Sequence, residues 1–240
     1  MLRWIVGEGL NTVRVATYHP VGWGLNKVHQ KIRKVLMPDK PTLSPHALDR
    51  RIVFVHGIFH NATAFFSLER DLAKAGFKNF FSIELWTAFS TLEEMATRLH
   101  QSLRRRQAQS GEKFTIVAHS LGGMVTRAAL LNESFASLID EVIFLGTPHQ
   151  GTPYYEVPFP VCVRSLSSKS ELLRRLKEEP LPGNIEYWNL RGSMDIVTPL
   201  PTTFLPHVPN ITFEGVGHAG LLSNNEVAAT VLHILSRDHS

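Results

Sequence analysis

The chain has 240 residues, 43% of them hydrophobic and 19% charged, the size and composition of one large α/β domain that buries its core without disulfides or metal. Its single cysteine, Cys162, excludes an internal disulfide and suits a reducing compartment. The net charge of +4 is concentrated at the N-terminus, where residues 1–51 hold nine Lys/Arg against three Asp/Glu, and no stretch nears the ~18 consecutive apolar residues of a membrane span.

In chain order, the opening MLRWIVGEGLNTVRVATYHP carries a short apolar run that Glu8, Asn11 and Arg14 interrupt before a signal-peptide core is complete. Trp4, Ile5, Leu10 and Val13 offer one apolar face for a segment lying on a membrane. From Asn26 to Met37, Val28, Ile32 and Val35 recur at helical spacing among Lys27, Lys31, Arg33 and Lys34, which predicts a basic amphipathic helix that Pro38 stops. The following DKPTLSPHALDRR reads as a linker. The expectation is a basic, helical extension over residues 1–50 and a main domain over 51–240. The protein is expected to be cytoplasmic, with the extension available for peripheral contact with an anionic membrane and no nucleic-acid partner.

Beyond Arg51, strand-sized apolar runs appear at Ile52 to Val55, Phe80 to Leu85, Phe114 to Ala118, Val142 to Leu145, Ile185 to Leu190 and Ile211 to Phe213. Helical patterns fall between them, at about Ala62 to Ala75, Leu92 to Arg106 and Leu121 to Leu131, with another from Glu226 to Leu235. Alternating strands and helices predict an α/β architecture, a mainly parallel sheet covered on both faces. The stretch from Gly151 to Gly183 breaks the rhythm with YYEVPFPVCV and the charged helix candidate SSKSELLRRLKEE. An excursion this long suggests a lid or binding loop.

The strongest chemical signal is KFTIVAHSLGGMVTRAALL, a strand running through His119 and Ser120 directly into an amphipathic helix. A serine on so sharp a turn needs small neighbours, and Ala118 and Gly122 supply them in an A-x-S-x-G version of the G-x-S-x-G pattern. The free N–H groups at the helix start favour negative charge, making the Leu121 N–H one candidate oxyanion donor. A second donor is expected from the loop after an earlier strand, where VHGIF offers the Ile58 N–H, with Gly57 allowing close approach. His56 and His60 have the i, i+4 spacing of a metal pair, but on a loop and without a third ligand.

A serine hydroxyl becomes a nucleophile when a histidine takes its proton and an acid orients that histidine. Downstream, NLRGSMDIVTP places Asp195 after one predicted strand and ITFEGVGHAGLLSN places His218 after the last, in the order Ser, Asp, His. The rival acids Asp140 and Glu141 sit at the start of a predicted strand, away from the carboxyl ends where such sites assemble. His119 reads as an elbow side chain, while His149, in GTPHQGT at the correct end of a strand, is a candidate for the substrate pocket.

Together VHGI, IVAHSLGG, the SMDIV loop and ITFEGVGHAGLL resemble the small bacterial lipases of the Bacillus lipase A type, within the α/β-hydrolase superfamily, over most of residues 51–235. The resemblance implies a lipase or carboxylesterase acting on a small-molecule or lipid ester, with Ser120, Asp195 and His218 as triad, Ile58 and Leu121 as oxyanion donors, and no cofactor or metal. The basic N-terminus has no counterpart in those minimal enzymes, and the 151–183 insertion exceeds their short connection. Phospholipase, thioesterase or acyltransferase chemistry on the same machinery, or a non-catalytic scaffold, remain as alternatives.

Overall fold

The computed structural model of the chain describes residues 43–85, 87, 89–152, 161–167 and 169–237. The basic helix expected over 26–37, the segment before it and most of the aromatic run at 154–163 lie outside the described residues. Among the described residues no helix is long and apolar enough to cross a membrane.

Six strands, β1 (Arg51–Val55), β2 (Phe80–Ile83), β3 (Phe114–His119), β4 (Ile139–Leu145), β5 (Glu186–Gly192) and β6 (Asn210–Phe213), form one sheet in the order β2-β1-β3-β4-β5-β6. Every neighbouring pair is parallel. Side chains alternate across it: Val53, Val55, Ile116, Ala118, Val142 and Phe144 enter one core, while Ile52, Phe54, Val117, Ile143, Leu145 and Leu190 enter the other. Both faces are apolar because helices cover both, as parallel crossovers require.

On the first face lie α3 (Leu92–Ser110) and α4 (Leu121–Leu130), packed through Leu92, Met95, Leu99 and Leu103 of α3 and Met124 and Val125 of α4. The long α3 begins with a capping box, in which Thr91 Oγ1 accepts from the Glu94 N–H and the Glu94 carboxylate accepts from the Thr91 N–H. On the second face lie α2 (Phe66–Ala75), entered through a 3-10 turn at Ala62–Phe65, and α9 (Asn225–Leu235), which bury Phe65, Leu68, Leu72, Val227, Val231 and Ile234.

The chain passes from β1 to β2 on one side, then returns to β3 on the other. The sheet therefore changes direction between β1 and β3, and the crevice at their carboxyl ends is the natural site of an α/β fold. Both the Gly57 loop and Ser120 follow those two strands.

Each predicted strand exists, with ends shifted by a few residues, and the all-parallel sheet agrees with the expected architecture. The linker reading fails from Ser44 onward. Ser44 caps the short helix α1 (Pro45–Asp49), Ala47 is fully buried, and the Arg50 guanidinium is buried against Glu141 at 2.6 Å. Four short helices were not expected: α1, α5 (Glu133–Ala136), α6 (Val161–Arg164) and α8 (Leu200–Thr203). None exceeds about a turn, so none shows an apolar period.

Within the 151–183 stretch, α6 (Val161–Arg164) and α7 (Glu171–Glu178) are docked on the body. Leu172, Leu173 and Leu176 of α7 join the first core, while its exposed face carries Arg174 pairs with Glu171 and Glu178 and an Arg175 pair with Glu179.

Glu141 is a structural hub. Its carboxylate holds Arg50 at 2.6 Å, the Trp188 indole N–H at 3.1 Å and Arg237 at 3.4 Å, joining α1, β5 and the end of α9 below the sheet. Glu141→Ala strands a buried guanidinium, so we expect a loss of about 3–5 kcal/mol in urea unfolding; a change under 1 kcal/mol contradicts this account.

Candidate active site

Ser120 stands between β3 and α4 at φ 54°, ψ −124°, one of three non-glycine residues with positive φ among the described residues. Such a conformation costs on the order of 1–3 kcal/mol and persists only when its surroundings impose it. Here they do. The Ser120 N–H continues the sheet by donating to the Leu145 carbonyl at 2.8 Å, and the Gly123 N–H closes the turn on the Ser120 carbonyl at 3.0 Å. Below the turn, a Cβ on Gly122 would lie 2.2 Å from the Val55 carbonyl oxygen, and one on Gly123 would lie 1.9 Å from Thr147 Oγ1. The start of α4 thus rests on the backbone at the end of β1 and on the Thr147 side chain after β4, with no room for a methyl.

The loop after β1 closes on the same point. A Cβ on Gly57 would meet Ser120 Cβ at 2.9 Å, so glycine is what permits this loop to touch the elbow. Ile58 follows, part-buried, and Leu121 opens the first turn of α4. Phe59 then adopts φ 55°, its N–H donating to Thr87 Oγ1 at 3.2 Å, and the Thr87 carbonyl accepts from the Cys162 thiol at 3.1 Å. The insertion therefore braces the loop that carries Ile58.

Asp195 follows β5 and His218 follows β6, and the structure brings them together. The His218 Nδ1–H donates to Asp195 Oδ2 at 2.7 Å, with both residues buried. The other carboxylate oxygen, Oδ1, accepts from the Val197 and Thr198 N–H groups at 2.9 and 2.7 Å. Gly146, at φ 56° after β4, packs beneath the pair; a Cβ there would fall 3.2 Å from Asp195 Oδ2 and 3.3 Å from His218 Nδ1.

Nδ1 is committed to the acid, so Nε2 is the nitrogen left to exchange a proton. The His218 ring packs on that of His119, the residue before Ser120, at 4.6 Å between centroids, and His60 stacks on His119 at 5.7 Å.

His119 is fully buried and donates Nε2–H to the His218 carbonyl at 3.3 Å, while its Nδ1 has no hydrogen-bond partner. Burial, then the neighbouring His218 and His60, push its pKa well below the ordinary histidine value, so it is a neutral spacer that fixes the His218 backbone. For His60 a smaller lowering has the same first cause, burial. His56 spends both ring nitrogens on backbone, donating to the Gly57 carbonyl at 2.9 Å and accepting from the Leu85 N–H at 3.0 Å.

His149, a candidate for the substrate pocket, is instead fully buried beside Arg127, with its Nε2–H donating to Asn189 Oδ1 at 3.3 Å and its ring edge-on to Phe144. Burial and the Arg127 charge push its pKa well down. Arg127 also donates to the carbonyls of His149 and of Leu176 in α7. Asp140 and Glu141 lie at the opposite end of the sheet from Ser120, as expected, since β4 begins at Ile139 and runs toward Leu145.

Sequence reading missed Thr198 and His60. Thr198 Oγ1 lies 2.7 Å from Asp195 Oδ2, 3.1 Å from His218 Nδ1 and 3.0 Å from the Gly146 carbonyl oxygen. The D-x-x-T spacing of Asp195 and Thr198 was the available signal, because an Asp commonly accepts from backbone N–H groups two and three residues on.

The neutral burial of His119 and His149 has a thermodynamic consequence. Their folded-state pKa values lie below the unfolded value of about 6.5, so below that pH the unfolded chain binds protons the folded chain refuses. Their contribution is intact above pH ~6.5 and is lost as pH falls toward the folded values, with a slope approaching about 1.4 kcal/mol per pH unit for each residue. Urea midpoints measured from pH 8 to 5 should fall through this window, and His149→Gln should flatten the fall; an unaltered slope in that variant counts against it.

Solved structures share this fold. The mature form of Bacillus licheniformis lipase BlEst2 superposes with TM-score 0.69 at 19% identity, covering 82% of this chain and 95% of that one. Aspergillus fumigatus lipase B superposes with TM-score 0.64 at 15% identity, covering 79% and 53%. Paleococcus ferrophilus monoacylglycerol lipase does so with TM-score 0.53 at 17% identity, covering 77% and 93%. At these identities the likeness is one of fold, and the fold is that of the α/β-hydrolases. No curated protein matches the sequence. A family match spans residues 11–156, beginning well before β1, and on that span the chain belongs to the family described as Domain of unknown function (DUF7379).

Proposed function

We propose that the protein is a serine hydrolase of carboxylic esters, of the lipase or carboxylesterase type (EC 3.1.1), with Ser120 as nucleophile, His218 as general base and Asp195 as the acid that orients it. The observation that carries this reading is the buried His218–Asp195 hydrogen bond of 2.7 Å, packed against the residue that precedes a serine held at φ 54°. The lipase and esterase character of several fold neighbours supports it.

In this mechanism His218 Nε2 takes the Ser120 proton as Oγ attacks the ester carbonyl. The Ile58 and Leu121 N–H groups stabilise the oxyanion, and the alcohol leaves with the proton from His218. Water, activated by the same nitrogen, then releases the acid. The chemistry uses protein groups alone. The resemblance to Bacillus lipase A type enzymes covers the four motifs of this site. The Cys162–Thr87–Phe59 chain supports a role for residues 151–183 beside the substrate, whether as wall or cover. We place the catalytic domain at residues 51–240 with α1 and Arg50 docked on it, and treat the residues before them as an extension.

A fluorophosphonate probe should label the protein, and p-nitrophenyl esters should be hydrolysed, with both signals lost by at least about a thousandfold in Ser120→Ala. The acyl-length profile then divides esterase from lipase. Turnover retained in Ser120→Ala sinks the assignment.

The basic N-terminus supports a second proposal, peripheral binding to anionic membranes. In flotation with phosphatidylserine vesicles the full chain should rise and a chain beginning at residue 43 should stay down; equal behaviour of the two refutes it.

A further inference from the structure

We propose that Thr198 is a positioning residue for the acid–base pair, its single hydroxyl holding the Asp195 carboxylate and the His218 ring in register with one another. This rests on the reading of Ser120, His218 and Asp195 given above.

Thr198 is buried, and its hydroxyl stands within hydrogen-bond distance of three groups from three different loops: Asp195 Oδ2 at 2.7 Å, the Gly146 carbonyl at 3.0 Å and His218 Nδ1 at 3.1 Å. A hydroxyl has one proton and two lone pairs. Its proton goes to the shorter, charge-assisted bond with the carboxylate, and its lone pairs face the His218 Nδ1–H, which then has two acceptors on the same side. Asp195 Oδ1 is already saturated by the Val197 and Thr198 N–H groups. The hydroxyl thus supplies the only side-chain donor to Asp195 apart from His218 itself among the described hydrogen bonds.

Two effects follow. The carboxylate cannot rotate about its side chain without breaking bonds at both oxygens, and the imidazole cannot tilt without leaving both acceptors. Each donor that binds a carboxylate favours its charged form, and the Thr198 hydroxyl is such a donor on Asp195 Oδ2. The titratable ring packed on His218 is His119, which in turn packs on His60.

The test compares Thr198→Val, which keeps shape and removes the hydroxyl, with Thr198→Ser, which keeps the hydroxyl. Thr198→Val should lower kcat about tenfold with KM nearly unchanged and move the acidic limb of the pH profile upward; Thr198→Ser should restore both. Equal losses in the two variants place the effect in methyl packing and overturn the proposal, as does a Val variant that matches the wild type. If Thr198→Val fails to fold, Thr198→Ala takes its place.

A readout independent of turnover is the low-field proton resonance of the His218 Nδ1–H, assigned by its loss in His218→Gln. It should shift in Thr198→Val and return in Thr198→Ser, and an unmoved resonance overturns the proposal. Activity surviving in Ser120→Ala would sink the triad reading itself, whereas a dead Ser120→Ala beside a normal Thr198→Val sinks only the role of Thr198.

Discussion

Ser120 can hold a positive φ because Gly122 lets the first turn of α4 lie directly on the backbone of β1, where any side chain would collide with the Val55 carbonyl. That contact fixes where the helix starts, hence where the serine stands and where the N-terminal amides of α4 point. It also fixes the separation of β1 and β3 at the crevice where the sheet changes direction. The Gly57 loop, the elbow and the packing of α4 on α3 are adjusted to one another through this single close approach. The cost of the strained serine is met by the rigidity of what surrounds it, not by any hydrogen bond of its side chain.

A second constraint is electrostatic. Two imidazoles, of His60 and His218, pack on His119, which must stay neutral, since a charge there would be buried beside the ring that becomes an imidazolium in the proposed mechanism. Burial enforces neutrality without a partner for Nδ1. His218 thus meets a carboxylate through its hydrogen bond to Asp195 and an uncharged ring through its tilted contact with His119.

How much of this was readable in the sequence follows from the range of each interaction. The strands were legible because parallel strands buried on both faces are continuous apolar runs, as in Ile52 to Val55 and Phe114 to Ala118. Ser120 was legible because the strand, the turn and the helix that strain it are contiguous in sequence, and Asp195 and His218 because each follows a strand in a glycine-containing loop. Helix α1 and the pairing of Arg50 with Glu141 were not, since their reason lies 91 residues away. The burial of His149 was likewise hidden: at the right end of a strand, only the tertiary position of Arg127 and Asn189 turns it inward. Thr198 stands on the border, its bond to Asp195 local and its contact with His218 distant.

The contact between Arg127 and the Leu176 carbonyl of α7 bears on what the insertion can lose as well as on packing. Arg127 is buried in the elbow helix, and burial draws its pKa down to about 10; what makes a guanidinium tolerable there is the set of carbonyls that includes Leu176, inside the insertion. Removing α7 takes one of the two carbonyls that Arg127 donates to, leaving that of His149, and removing the arginine leaves the Leu176 carbonyl open. Shortening the insertion and replacing Arg127 are therefore coupled changes, each felt through the helix that starts at the elbow.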